Sequence, residues 1–100
     1  MHKEVRQIIY SRNVVIHDEI GLHLRPASQL VSTARTFNSR SWIKDHSSGM
    51  SANAKSILML LSLALSGGRS IEVCAEGSDA QEAVDMLAQM LEETNGAVTF

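Results

Sequence analysis

Cysteine, proline and aromatic residues are scarce in this 100-residue sequence, with one Cys, one Pro and four aromatics, and neither sign of charge dominates: nine Lys and Arg stand against eleven Asp and Glu. Each shortage excludes something. A lone Cys74 rules out an internal disulfide framework and suits a reducing compartment, so a cytoplasmic location is expected. The near balance of charge, formally −2, leaves no global basic field to hold a nucleic acid backbone. No stretch reaches the roughly 18 uninterrupted apolar residues of a membrane span, and the densest, from Ile57 to Leu65, falls well short. The opening Met1-His2-Lys3-Glu4-Val5-Arg6 is basic but lacks the apolar run and small-residue cleavage site of a secretory signal, so neither export nor membrane insertion is expected. No Gly-rich phosphate loop of the P-loop form occurs. His2, His17 and His46 are expected to be solvated and, like Cys74, show no metal-ligand spacing, so neither metal nor cofactor is expected.

What is present reads as one α+β domain. There is no repeat, low-complexity tract or Pro/Gly-rich linker to mark an internal boundary. From Asn13 to Asp18, Val14 and Ile16 can face one side while Val15 and His17 face the other, the period of a strand. Gly21 breaks it. Pro26 then stands where a first helical turn tolerates its missing N–H, and Ala27, Leu30, Val31 and Ala34 follow at helical spacing to about Phe37. Trp42 and Ile43 suggest a second strand whose inward residue is not decided by adjacent apolar positions. Asp45 to Gly49 reads as a hairpin turn, with a short third strand near Met50 to Ala52.

The run from Ser56 to Leu65 predicts a helix, apolar nearly all round, ended by Gly67-Gly68, and one of its faces must look outward. Ser56 at its start predicts an N-cap. Ile71, Val73 and Ala75 alternate with Glu72, Cys74 and Glu76, giving a fourth strand whose second face carries the thiol. Ser78-Asp79-Ala80-Gln81 has the form of a capping box, followed by Ala80, Ala83, Val84, Leu87 and Leu91 at helical spacing. Glu92 and Glu93 then belong to the polar face of that helix and not to a paired carboxylate site. The order β-α-β-β-α-β-α is that of a sheet with its helices on one face.

The informative segment is Gly21-Leu22-His23-Leu24-Arg25-Pro26-Ala27, because it puts a histidine at a helix start beside an arginine. First-turn N–H groups lack intrahelical partners and, with the positive dipole end, favour an anion there. Arg25 adds a planar two-pronged donor. The same field favours the neutral imidazole, which keeps a ring nitrogen free to attack phosphorus.

This segment closely resembles the active-site motif of the HPr family, the histidine-containing phosphocarriers of the bacterial phosphotransferase system. Asn53-Ala54-Lys55-Ser56-Ile57 with Leu60-Leu61-Ser62-Leu63-Ala64 is similar to the family's regulatory serine segment, and Ala75 to Ala83 to its last strand-to-helix turn. The resemblance spans roughly residues 12 to 93 of a single domain, 1–100. It implies an open-faced β-sandwich: a four-stranded antiparallel sheet with three helices on one face. It also implies a carrier and not an independent enzyme. His23 would take phosphate from phospho-Enzyme I, through Nδ1 as in the family, Arg25 would stabilise it, and a sugar-specific A component would receive it. Ser56 becomes a candidate for an HPr kinase/phosphorylase, its added charge opposing docking on an acidic surface. Leu24, Ile57, Leu58 and Met59, with Arg35 and Lys55 as flanking cations, are the candidate partner-binding residues, on a domain expected to be a monomer.

Three departures from the family pattern concern partners and not chemistry. Leu24 stands where a small residue is usual, the turn from His46 to Gly49 is about two residues longer than usual, and residues extend both ends. An HPr-like regulatory paralogue for nitrogen control or catabolite repression, and an interaction module whose histidine only caps a helix, are the competing readings.

Overall fold

The computed structural model describes residues 8–15, 24–63 and 70–96, with the side chains of 24–26 and 93–96 excepted. Four strands and three helices follow the anticipated order: β1 Ile9–Val15, α1 Leu24–Ala34, β2 Arg40–Asp45, β3 Ser51–Asn53, α2 Ile57–Ser62, β4 Ser70–Glu76 and α3 Ala80–Gly96. The strands form one sheet in the order β1-β4-β2-β3, and every neighbouring pair is antiparallel.

Strand alternation decides which face is covered. Val14 of β1, Ile43 of β2, Ala52 of β3, and Ile71 and Val73 of β4 are all buried in one cluster with Ala27, Leu30 and Ala34 of α1, Leu60 of α2 and Leu87, Ala88 and Leu91 of α3. Ala75 continues that face beside Ala80, Ala83 and Val84 of α3, with Phe37 packed against them. All three helices therefore lie on one side. The opposite face is open, and register places its side chains in rows: Ser11, Cys74, Trp42 and Asn53 in one, Asn13, Glu72, Lys44 and Ser51 in the next.

Several boundaries differ from the expected ones, each for a tertiary reason. The first strand starts at Ile9, four residues before Asn13, because Ile9 to Arg12 pair with Glu76 to Val73 without any alternation of their own. Ile16 to Asp18 lie outside the described residues. α1 ends at Ala34, and Phe37 follows a turn in which Thr36 and Phe37 donate back to Thr33 and Ala34. The third strand is Ser51–Asn53, one residue later than expected. α2 is six residues long; Leu63 closes it by donating to the Leu60 carbonyl, and 64–69 lie outside the description. Register also settles the second strand: Ile43 points into the core, and Trp42 is half-buried on the open face beneath the Arg40 guanidinium, 5.4 Å from its ring centre.

The β2–β3 turn is built on Asp45. Its buried carboxylate accepts from the Ser47 N–H at 3.2 Å and the Ser48 hydroxyl at 3.0 Å, and Gly49, at φ +76°, returns its N–H to the Asp45 carbonyl. That is the left-handed conformation in which glycine has no steric penalty.

Candidate functional site

The described candidate residues lie on or beside α1 and α2, which pack against each other. Of the histidine motif, Gly21, Leu22 and His23 lie outside the described residues, and Leu24, Arg25 and Pro26 are described only as the first backbone positions of α1. Pro26 is thus the third residue of the helix, where its missing N–H disturbs no intrahelical bond. The first turn of α1 holds no acidic residue, so no carboxylate of the helix competes for those amides.

The second candidate segment is fully described. Asn53 leaves β3 and its side-chain oxygen accepts the Lys55 N–H at 2.9 Å, turning the chain toward α2. Ser56, with extended φ −122° and ψ 111°, is the N-cap: its hydroxyl accepts the Met59 N–H at 3.3 Å. This is the capping role anticipated from its position. The cap sets the phase of the helix. Leu60 is fully buried, Ile57 and Leu61 pack partly against the core, and Leu58 and Met59 face outward, 77% and 44% exposed. An apolar run with too little core to cover it therefore leaves two of its side chains exposed.

Arg35 and Lys55 are brought together, but each has a structural task. The Arg35 guanidinium donates to the Lys55 carbonyl at 3.3 and 3.4 Å, and the Lys55 ammonium donates to the Phe37 carbonyl at 2.9 Å. Their donors thereby tie the end of α1 to the segment that leads into α2.

At the other end of the fold, the capping box is replaced by a long-range clasp. Asp79 precedes α3 and its carbonyl accepts the Ala83 N–H, but its carboxylate turns away to accept from the Asn38 N–H and from both the N–H and hydroxyl of Ser39. Ser39's hydroxyl and the Asn38 amide hold the Asp79 carboxyl below its ordinary value. A cleft of about 510 Å³ beside it is lined by Tyr10, Glu76, Asp79 and Glu82 among others, acidic walls that do not suit a phosphate.

Two further expectations take a different form. Cys74 is on the second face of β4 as predicted, yet it is only 5% exposed, because Ser11 and Trp42 flank it across both neighbouring strands. Burial, with Glu72 nearby, pushes its thiol up to about 11. His46 is not simply solvated: its Nε2 lies 3.2 Å from the Asn13 amide oxygen and 3.9 Å from Glu72. Glu92 stands on the polar side of α3 and pairs with Arg12 at 3.5 Å. Among the described residues no group of three or more His, Cys, Asp or Glu side chains is placed to hold a metal ion, and no helix is long and apolar enough to cross a membrane.

The described residues form a small open-faced α+β sandwich with a capped helix, α2, that exposes apolar side chains, and the histidine motif precedes its neighbour α1 in the chain. Comparison with known proteins is consistent with that class. Residues 10–93 match the family model described as the PTS HPr component phosphorylation site. The phosphocarrier protein HPr of Haemophilus influenzae is 42% identical over 83 residues, 83% of this chain and 95% of its own length. That of Vibrio cholerae is 40% identical over 85 residues, 85% of this chain and 98% of its own. A solved histidine-containing phosphocarrier protein from Mycoplasma superposes with a TM-score of 0.80 at 32% identity, covering 86% of this chain and 96% of its own. The chain belongs to the HPr family of phosphocarrier proteins of the phosphotransferase system.

Proposed function

We propose that this protein accepts a phosphoryl group from phospho-Enzyme I on His23 and passes it to sugar-specific A components in the cytoplasm. The observation that carries the reading is the position of His23, immediately before Leu24, the first residue of an α1 whose opening turn contains no carboxylate. A phosphoimidazole at that point meets unpaired first-turn amides and the positive end of the helix dipole. Arg25, two residues on, supplies a guanidinium that neutralises the incoming charge during transfer. The bond between phosphorus and the donor breaks as the N–P bond forms on the ring, and the same exchange onto the acceptor releases the group, so the protein turns over only through its partners.

Leu58 and Met59, with Leu24, supply the apolar contact for those partners, and Ile57, half-buried, fixes their phase. Arg35 and Lys55 add positive charge at the rim, which favours acidic partner surfaces and brief, salt-sensitive complexes. Phosphorylation of Ser56 by an HPr kinase/phosphorylase would place about −1.5 to −2 charges at a helix start, where the fold tolerates them but an acidic Enzyme I surface does not.

Incubation with phosphoenolpyruvate and Enzyme I, followed by mass spectrometry, tests the reading. The expected result is one acid-labile phosphate on His23, absent in His23→Ala with the fold retained. Acid-labile phosphate persisting in that variant, or no labelling of the parent, overturns it.

A further inference from the structure

The sulfur atoms of the described residues differ in their access to an oxidant. Cys74 is 5% exposed and its thiol is pushed up to about 11, so the thiolate that peroxides attack is scarce. Met90 is partly buried against the core. Met50, Met59 and Met86 are exposed, at 56%, 44% and 44%. Met50 closes the turn that Asp45 builds, its carbonyl accepting the Asp45 N–H at 2.8 Å, and Met86 stands on α3. Among these, Met59 alone shares α2 with the exposed Leu58. It also borders an open groove of about 380 Å³ beside Trp42, Ser51 and Asn53, wide enough for a small oxidant to reach it in the folded protein.

We propose that Met59 is a reversible oxidation site of this carrier: conversion of its thioether to the sulfoxide by a peroxide weakens docking of Enzyme I, and reduction by a thiol-dependent methionine sulfoxide reductase restores it.

The inference rests on the reading of Leu58 and Met59 as apolar docking contacts. The chemistry balances with hydrogen peroxide alone: its O–O bond breaks as one oxygen bonds to sulfur, the thioether loses two electrons, and water leaves. The return reduction takes two electrons from a dithiol, which becomes a disulfide as the oxygen departs in water. The oxidised side chain is a polar acceptor where a soft apolar one stood. A partner that covers it strips its water, and α2 brings no spare side-chain donor to replace that water. The helix is Ile57, Leu58, Met59, Leu60, Leu61 and Ser62, and the Ser62 hydroxyl donates to the Met59 carbonyl at 2.7 Å. The fold is untouched, because Met59 is held by its backbone. Its N–H donates to the Ser56 Oγ at 3.3 Å, its carbonyl takes Ser62, and the inward residue of this turn is Leu60.

To test this, the full chain is treated with millimolar hydrogen peroxide, the peroxide is removed with catalase, and sulfoxides are located by peptide mass spectrometry before phosphoenolpyruvate and Enzyme I are added. Each protein is compared with its own untreated sample. The parent carrying the Met59 sulfoxide is expected to reach half-maximal labelling rate at about tenfold higher concentration, the cost of one unpaired acceptor in a contact, with maximal rate and melting temperature retained. Methionine sulfoxide reductases A and B with dithiothreitol, one for each sulfoxide epimer, are expected to return the untreated value. Met59→Leu should show no change on treatment, whatever its starting value, while Met50→Leu and Met86→Leu respond as the parent does. The inference fails if Met59 stays reduced while Met50 and Met86 oxidise, if Met59→Leu responds like the parent, if the reductases restore nothing, or if the loss comes with a lowered melting temperature. Absence of labelling in the untreated protein removes the proposed function and this inference with it; labelling that peroxide leaves unchanged removes the inference alone.

Discussion

Ser39 and Asp79, 40 residues apart, are joined twice, since the N–H and the hydroxyl of Ser39 both donate to Oδ1 of Asp79. The Asn38 N–H reaches the other carboxylate oxygen at 2.8 Å. This carboxylate satisfies the start of β2 from the start of α3, so the two halves of the chain are fastened at one point.

The fastening sets an acid limit. Because these donors hold the Asp79 carboxyl below its ordinary value, its contribution is complete above the unfolded carboxylate value of about 3.9 and is lost as pH falls through the lower folded one. Asp79→Asn should unfold at lower temperature than the parent at pH 7, and the difference should shrink as pH falls below about 4. Thermal melts of both proteins from neutral to acid pH check this; a difference that does not depend on pH would leave the clasp without an electrostatic role.

Gly77 permits the approach. Its φ is +143°, and a Cβ there would lie 2.7 Å from the Ser39 Oγ and 2.8 Å from the Ser39 Cα. Gly77→Ala should cost about 1–3 kcal/mol in backbone strain before the clash is counted. Urea denaturation measures it, and a midpoint equal to the parent's would contradict the close packing.

Cys74 should be inert in the folded protein. With its thiol raised to about 11 by burial and by Glu72, the thiolate fraction near pH 8 is roughly a hundredfold below that of an ordinary cysteine. Its contribution to stability is full below the ordinary thiol value and declines as pH rises toward about 11. Alkylation with iodoacetamide at pH 8, followed by mass spectrometry, should be slow without denaturant and fast with it.

Leu58, at 77% exposure, contributes little to the core. Leu58→Asp should change stability by no more than about 0.5 kcal/mol while slowing phosphoryl transfer from Enzyme I by about tenfold or more, the cost of a charge in an apolar contact. Stopped-flow or quenched transfer assays decide it: parent-like rates would remove Leu58 from the docking surface.

Features that depend on near neighbours in the chain were legible without coordinates. The Ser56 cap, the inward triplet Ile71, Val73 and Ala75, the Asp45 turn and the order of elements follow from capping chemistry and from periods of two and 3.6 residues. Features that depend on distant partners were not. Ile9 to Arg12 show no alternation and become strand only by pairing with β4. Asp79 stands inside the capping-box pattern Ser78 to Gln81 with no sign of a distant partner, yet Ser39 offers its carboxylate two donors at once. Arg35 and Lys55 read as flanking cations, and only the junction of α1 and α2 shows that they also hold carbonyls across it.

The sequence by itself carried the family resemblance in its motifs, and it determined the order of the elements and the position of the histidine just before the first helix, because short-range sterics and unpaired backbone groups leave few alternatives there. The tertiary structure decided the start of the first strand, the burial of Cys74 and which of Leu58 and Leu60 faces outward. Those depend on register, and register is fixed only when strands far apart in the chain bury one common face.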